Sequence, residues 1–469
     1  MVSVTFYGGV NEIGGNKILV ESKKARIWLD FGLSFGKVGK FYDEFIQPRK
    51  SNAFGDYFEM GLIPNLKGLY RSDFLKRMGR KDEKLAFDGV FVSHAHIDHT
   101  GYISLLNEKM PIYCGFATKL FMKAMQDTTN GYESELLYGK VQFTGLPYGK
   151  VPEFDRQVHT FRTGNKIEVK DLVVEPIHVD HSIPGAYGHI IHTPEGAIAY
   201  TGDLRAHGTK PELTKDFIRK AAAAEPEVLI TEGTRVDGEP SLSEPEVKEK
   251  ISAFIKETKG LVVANFPPRD IDRFNTFYKA SVENGRKLVI TTKQAYLLQL
   301  LEQDKVLKKP ALKDKHILVH IPKTGDGTYV DKEYQTWQRP FLHLPNAVKA
   351  EELRKMQDNV VFYCNAWQFS NLIDIKPKEG SSYIYSLTEP FNDEMELDFV
   401  RVHNWIKHFK LKYHTAHASG HMSNAELKQM IEEINPKKVI PVHTEKPELF
   451  RKIAKNVEIV KEGKPYQVS

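Results

Sequence analysis

Three histidines and an aspartate stand within six residues in "FVSHAHIDHTG": His94, His96, Asp98 and His99. In an extended segment, residues i and i+2 project to the same side, so His94 and His96 can face one ion. Asp98 and His99 follow as the chain leaves the apolar run "GVFVS" and turns towards a helix. Four donors on so short a loop do not easily converge on a single ion. Two ions are more natural, one taking His94 and His96, the other Asp98 and His99. The mix of imidazole and carboxylate suits zinc or a similar borderline divalent ion. A solvated histidine cluster is the bland alternative, but such a cluster has no reason to follow a strand of buried type.

The elements that must position these groups change character along the chain. The first third holds short β-rich runs, "VSVTFYGG", "NKILVES", "ARIWLDF" and "FDGVFVSHA", separated by glycine or charged turns. "TGYISLLNEKM" reads as a helix, and "DLVVEPIHV", "GAYGHIIHT" and "GAIAYTGD" as strands. Strand-rich halves with helices between them predict an α/β sandwich. From about residue 208, helices and strands alternate through "TKDFIRKAAAA", "EVLITEG", "GLVVANF" and "RKLVITT". That alternation predicts crossover units and a doubly wound parallel sheet over 208–385. Two capping boxes, Ser243 with Glu246 and Ser423 with Glu426, mark helix starts. The stretch 36–87 reads as an irregular surface insertion whose Tyr70, Arg71, Lys76 and Arg77 could line a strand channel.

Composition narrows the class. A length of 469 residues predicts two or three domains, and 41% hydrophobic with 27% charged residues describes a globular chain. A net charge of +5 leans only weakly towards polyanions. Cys114 and Cys364 read as buried reduced thiols. No apolar run reaches the ~20 residues of a membrane span, and "MVSVTFYGGVNEIGG" is neither a signal peptide nor a presequence, so a cytoplasmic location is expected.

"HAHIDHTG" resembles the signature of the metallo-β-lactamase fold. That resemblance implies an αββα sandwich and supplies the remaining ligands. Asp30 in "RIWLD" matches a carboxylate that orients ligands, His181 in "VDHSIPG" and His443 in "IPVHTE" match later ligands, and Asp203 in "YTGDL" matches a bridging carboxylate. It implies His94, His96, His181 and Asp203 around one Zn2+, and Asp98, His99, Asp203 and His443 around a second, with Mn2+ or Mg2+ as substitutes. The interruption before His443 is similar to the β-CASP nucleases: a lactamase part over 1–207, a β-CASP domain over 208–385 and a completing part over 386–469. Glu232 in "LITEGTR" and His421 in "ASGHMS" match further β-CASP motif positions. "GGVNEIGG", "HSIP", "GDLR", "ASGH" and "PVHTE" look most like the ribonuclease J group, with Gly185 standing where aspartate is common in that group and "EGTR" replacing "ESTN".

The implied activity is hydrolysis of RNA phosphodiester bonds, from the 5′ end of a single strand carrying a 5′-monophosphate, with endonuclease activity as an accompaniment. Asp98 orients the attacking water, and His421, kept cationic by Glu232, protonates the leaving ribose oxygen. Small-residue amides at Ser419 and Gly420, with His421 and the helix start at Ser423, would hold a substrate phosphate. Arg269 and Arg273 in "NFPPRDIDRF" are candidate backbone contacts. A homodimer is compatible with the resemblance. An RNA 3′-end-processing endonuclease, a DNA nuclease, a small-molecule hydrolase and an inactive RNA-binding scaffold are the rival readings.

Overall fold

The computed structural model describes residues 1–43, 45–388 and 393–469. The chain divides into two compact units, one of Met1–Ala206, Lys210–Pro240 and Gly420–Ser469, the other of His207–Thr209 and Ser241–Ser419.

The first unit is an αββα sandwich. One sheet has seven strands, in the spatial order Pro465–Gln467, Ser3–Gly8, Lys17–Glu21, Arg26–Leu29, Gly89–Val92, Ile112–Gly115 and Val158–Phe161. The other has six, in the order Lys438–Val442, Val228–Glu232, Gly196–Tyr200, Tyr187–Thr193, Leu172–His178 and Ile167–Val169. Inward residues of both sheets form one core, with Phe6, Ile18, Ile27, Leu29 and Phe91 from the first against Val174, Ile191, Ile198, Ile230 and Val442 from the second. Outward residues of the second sheet, Ala199, Leu229 and Val439, pack under helices Pro211–Ala223 and Asn424–Ile434. The period of two in these strands thus sends one set of side chains to each layer.

The second unit is a seven-stranded sheet with every pair parallel, from Ala347–Val348 at one edge to Lys412–Thr415 at the other. Helices Glu244–Glu257 and Ile271–Glu283 cover one face, and Ala350–Lys355, Ser370–Ile375 and Asp393–His408 the other. Both predicted capping boxes are present.

Three sequence expectations are corrected. Apart from His207–Thr209, the inserted unit spans Ser241–Ser419, so 210–240 belong to the sandwich and 386–419 to the insert, against the expected 208–385. Strand Val228–Glu232 pairs in parallel with Gly196–Tyr200 and Lys438–Val442, so it and the helix before it belong to the sandwich. Lys412–Thr415 instead extends the inserted sheet beside Ser382–Tyr385. "TGYISLLNEKM" is not a helix; after Ile97–Thr100 only the single turn Ile103–Leu105 follows. Within 36–87, Phe54 stacks on Phe74 and packs tilted against Tyr70, and Arg71 is buried against Asp73 and Glu135. Tyr70 and Arg71 are therefore spent on the fold. Cys114 and Cys364 are buried free thiols. Among the described residues, no helix is long and apolar enough to cross a membrane.

Candidate metal centre

The predicted ligands hang from the carboxyl ends of strands at one end of the sandwich. Asp30 ends Arg26–Leu29, and His94 lies two residues beyond the parallel strand Gly89–Val92. Asp203 follows Gly196–Tyr200, Glu232 closes Val228–Glu232, and His443 follows Lys438–Val442, whose register pairs Val442 with Glu232. Three adjacent parallel strands therefore deliver Asp203, Glu232 and His443 side by side.

Two groups of donors meet here. In the first, Nδ1 of His96 lies 3.0 Å from Nε2 of His94 and 3.2 Å from Nε2 of His181. The Oδ2 atom of Asp203 lies 3.6 Å from Nε2 of His94 and 3.9 Å from that of His181. In the second, the same Asp203 oxygen is 3.2 Å from Nε2 of His99 and 3.6 Å from Nε2 of His443, and Asp98 Oδ2 is 3.1 Å from His443. One potential ligand atom from each member of a group lies within 4.8 Å of the others, and Asp203 belongs to both groups.

The far sides of the rings are held by protein groups. Asp30, fully buried, accepts from the Ser93 amide and hydroxyl, from Tyr200 and from Nδ1 of His99, at 2.7–2.8 Å. Nδ1 of His94 meets the Ser93 hydroxyl at 3.0 Å. Nδ1 of His181 donates to the Gly420 carbonyl at 2.6 Å. With Nδ1 so engaged, the lone pairs of Nε2 point into the cluster, the arrangement that metal-binding histidines require.

Charge in the cluster fits a cation. Burial pushes His94 and His181 well below the usual histidine range, leaving them neutral with lone pairs free. Burial also opposes charge on His99, but Asp203, Asp30 and Asp98 outweigh it and raise that ring well above its usual value. Nε2 of His99 and Oδ1 of Asp203 are buried with no hydrogen-bond partner among the described residues. A carboxylate oxygen with no partner beside neutral imidazoles, and three carboxylates whose charge falls on one ring, are what a divalent ion would satisfy, so the donor set fits metal binding.

Beside the second group, the buried Glu232 accepts from Nδ1 of His421 at 3.1 Å and from the Thr234 amide at 3.0 Å. Burial works to lower the His421 pKa, but the Glu232 carboxylate overrides it and lifts the ring to about 9. The ring lies over that of His443, with centroids 5.6 Å apart.

Other expected contacts take different parts. Gly420 offers its carbonyl to His181, and a Cβ there would sit 3.1 Å from that ring. Ser423 gives both its amide and hydroxyl to Glu426, so its polar groups are committed to the helix cap and not to a phosphate. Ser419 is buried, its amide on the Ser241 hydroxyl and its carbonyl facing His207. Arg273 is fully buried, paired with Glu244 at 2.9 Å and bonded to Ser386, which removes it as a backbone contact for a strand. Arg269 is half-buried in the second unit. Gly185 has φ +82°, and a Cβ there would meet Ala117 at 2.9 Å, which explains why aspartate does not stand in its place. The sequence reading missed Ser93, Tyr200 and Thr234. Each lies within three residues of a recognised site residue, and each acts on it or on another site residue by hydrogen bonding.

The family description "Beta-lactamase superfamily domain" matches residues 71–245, and "Zn-dependent metallo-hydrolase RNA specificity domain" matches 407–459. The chain is 24% identical to ribonuclease J of Helicobacter pylori (strain J99) over 95% of its own length and 56% of the relative's. It thus spans little more than half of that relative. Ribonuclease J of Pyrococcus abyssi is 23% identical, with 98% of this chain and 93% of that one aligned. Among solved structures, a protein of unknown function from Enterococcus faecalis V583 superposes with a TM-score of 0.73 at 24% identity, covering 99% of both chains.

Proposed function

We propose that this chain, a metallo-β-lactamase-fold protein similar to ribonuclease J enzymes, is a divalent-metal-dependent ribonuclease that hydrolyses single-stranded RNA from its 5′ end. The observation that carries this reading is the pair of donor groups sharing Asp203, with the His421 imidazole held by Glu232 beside the second.

His94, His96, His181 and Asp203 would hold one ion, and Asp98, His99, Asp203 and His443 the other; the imidazole-rich set favours zinc. When bound, such ions supply water that ionises near neutral pH and positive charge against phosphoryl oxygens. Asp98 is the ligand carboxylate that keeps some exposure, 15% against 1% for Asp203, and it orients the attacking water. Glu232 fixes Nδ1 of His421, so Nε2 carries the proton available for transfer. As water oxygen bonds to phosphorus, the bond from phosphorus to the ribose 3′ oxygen breaks and that oxygen takes the His421 proton. The products carry a 5′-phosphate and a 3′-hydroxyl. Recognition of a 5′-monophosphate on the RNA end is part of the same reading. A cytoplasmic location and a homodimeric assembly belong to the same reading.

The test is digestion of end-labelled RNA with a 5′-monophosphate or a 5′-triphosphate, by the parent and by Asp98→Ala. We expect mononucleotides from the 5′ end, a preference for monophosphate, and a loss of about 10³-fold in the variant, the order of removing one electrostatic catalytic group. Discrete internal fragments would replace the exonuclease by an endonuclease. Full activity in Asp98→Ala would overturn the mechanism, and digestion of single-stranded DNA with RNA left intact would overturn the substrate.

A further inference from the structure

Thr234 is bonded both to the acid pair and to a ligand ring. Its amide donates to Glu232 Oε2, the oxygen that also takes Nδ1 of His421. Its hydroxyl lies 2.8 Å from Nδ1 of His443 and 3.4 Å from the His443 carbonyl. Only one proton arrangement satisfies both hydroxyl contacts. Nδ1–H of His443 donates to the Thr234 oxygen, and the Thr234 hydroxyl donates to the carbonyl. In the neutral ring this leaves the lone pair on Nε2, which lies 3.1 and 3.6 Å from Asp98 and Asp203, the side from which an ion shared with them would be bound. The backbone of His443 is left-handed, φ +52°, a conformation a histidine keeps only when its surroundings hold it. The Gly9 carbonyl holds its amide, and Thr234 holds its other end.

We infer that Thr234 is a positioning residue that fixes the ring orientation and tautomer of His443, and so tunes the ion shared by Asp98, His99, Asp203 and His443 in preference to the other. The inference rests on the two-ion reading above, but not on the identity of the substrate.

The experiment is zinc competition against a chromogenic chelator with the full-length chain, comparing the parent, Thr234→Val and Thr234→Ser. Valine keeps the shape and removes the hydroxyl; serine restores it. Expected is a weakening of one of the two binding steps by about 10- to 100-fold in Thr234→Val, the usual effect of losing a partner of a ligating histidine. The other step stays within about twofold, and Thr234→Ser recovers most of the loss. Thermal unfolding of the zinc-free proteins guards against a folding defect. Unchanged binding in Thr234→Val, equal weakening of both steps, or no recovery with serine would each overturn the role. If RNA cleavage is absent even from the parent, the ribonuclease reading fails while the zinc measurement still decides this one.

Discussion

At the scale of single residues, proton positions decide the chemistry. As the proposed acid, His421 would serve only while protonated, so turnover should fall as pH rises through its pKa. The Glu232 carboxylate holds that value up, at about 9 before cations bind, and bound cations nearby draw it down. Glu232→Gln keeps the hydrogen-bond acceptor but removes the charge. The alkaline limb of the kcat profile should therefore move to lower pH, and His421→Ala should lose 10²- to 10⁴-fold and the limb itself, with about that range expected for a general acid. A limb unmoved in Glu232→Gln would show that another group titrates. Lys17 provides a second proton-linked effect. Its ammonium is fully buried, donating to the Gly15 and Gly32 carbonyls, and burial lowers its pKa to about 7. An unfolded lysine titrates near 10.4. Between these values the unfolded chain binds a proton the folded chain does not, so stability from this group rises with pH, by about 1.4 kcal/mol per unit. Denaturant titrations at pH 7.5 and 9.5 should show a steeper rise in the parent than in Lys17→Met. Equal slopes would refute the shift.

At the scale of elements, what the sequence shows depends on how local the cause is. The HxHxDH loop was legible because ligand spacing is set by one strand end, and both capping boxes because a cap is a four-residue interaction. The strand Val228–Glu232 was legible as a strand but not as part of the sandwich, since a helix followed by a parallel strand looks the same in either sheet. Arg273 was misread for a related reason. A basic residue at a helix start suggests an anion site, and nothing in "RDIDRF" tells that Glu244, twenty-nine residues earlier, is its buried partner. Arg273 begins the helix Ile271–Glu283 and ties it to Glu244, which opens the helix Glu244–Glu257. Arg273→Ala takes the guanidinium away from the buried Glu244 carboxylate, so we expect a loss of about 3–5 kcal/mol in unfolding free energy of the second unit. Metal content should not change, because among the described residues no member of either donor group lies in that unit. If chemical unfolding is unaltered and RNA affinity alone falls, the arginine contacts substrate after all.

At the scale of the molecule, the ligands divide between the two sheets of the sandwich. His94, His96, Asp98 and His99 follow a strand of the first sheet, and His181, Asp203 and His443 follow strands of the second. Bound ions would therefore cross-link the sheets at one end, a long-range constraint that no local stretch of sequence could reveal. Without ions, Asp30, Asp98 and Asp203 converge in a buried space, and His99 is the ring whose charge they sustain. Ions that bind only the folded unit stabilise it by mass action, by about 4 kcal/mol at a thousand times the dissociation constant. Among the described residues neither donor group draws on the inserted unit, whose core is a separate parallel sheet with helices on both faces. Chelation should then act unevenly. In hydrogen exchange followed by peptide mass, segments around 89–100, 196–204 and 438–444 should lose protection when zinc is stripped, while strands Val262–Asn265 and Lys287–Thr291 keep theirs. Calorimetry of the same samples should show one transition moving down in temperature and regaining its position when zinc is restored. Uniform loss of protection across both units would mean that they unfold as one cooperative body; no loss anywhere would mean that the cluster needs no ion to hold the sheets together.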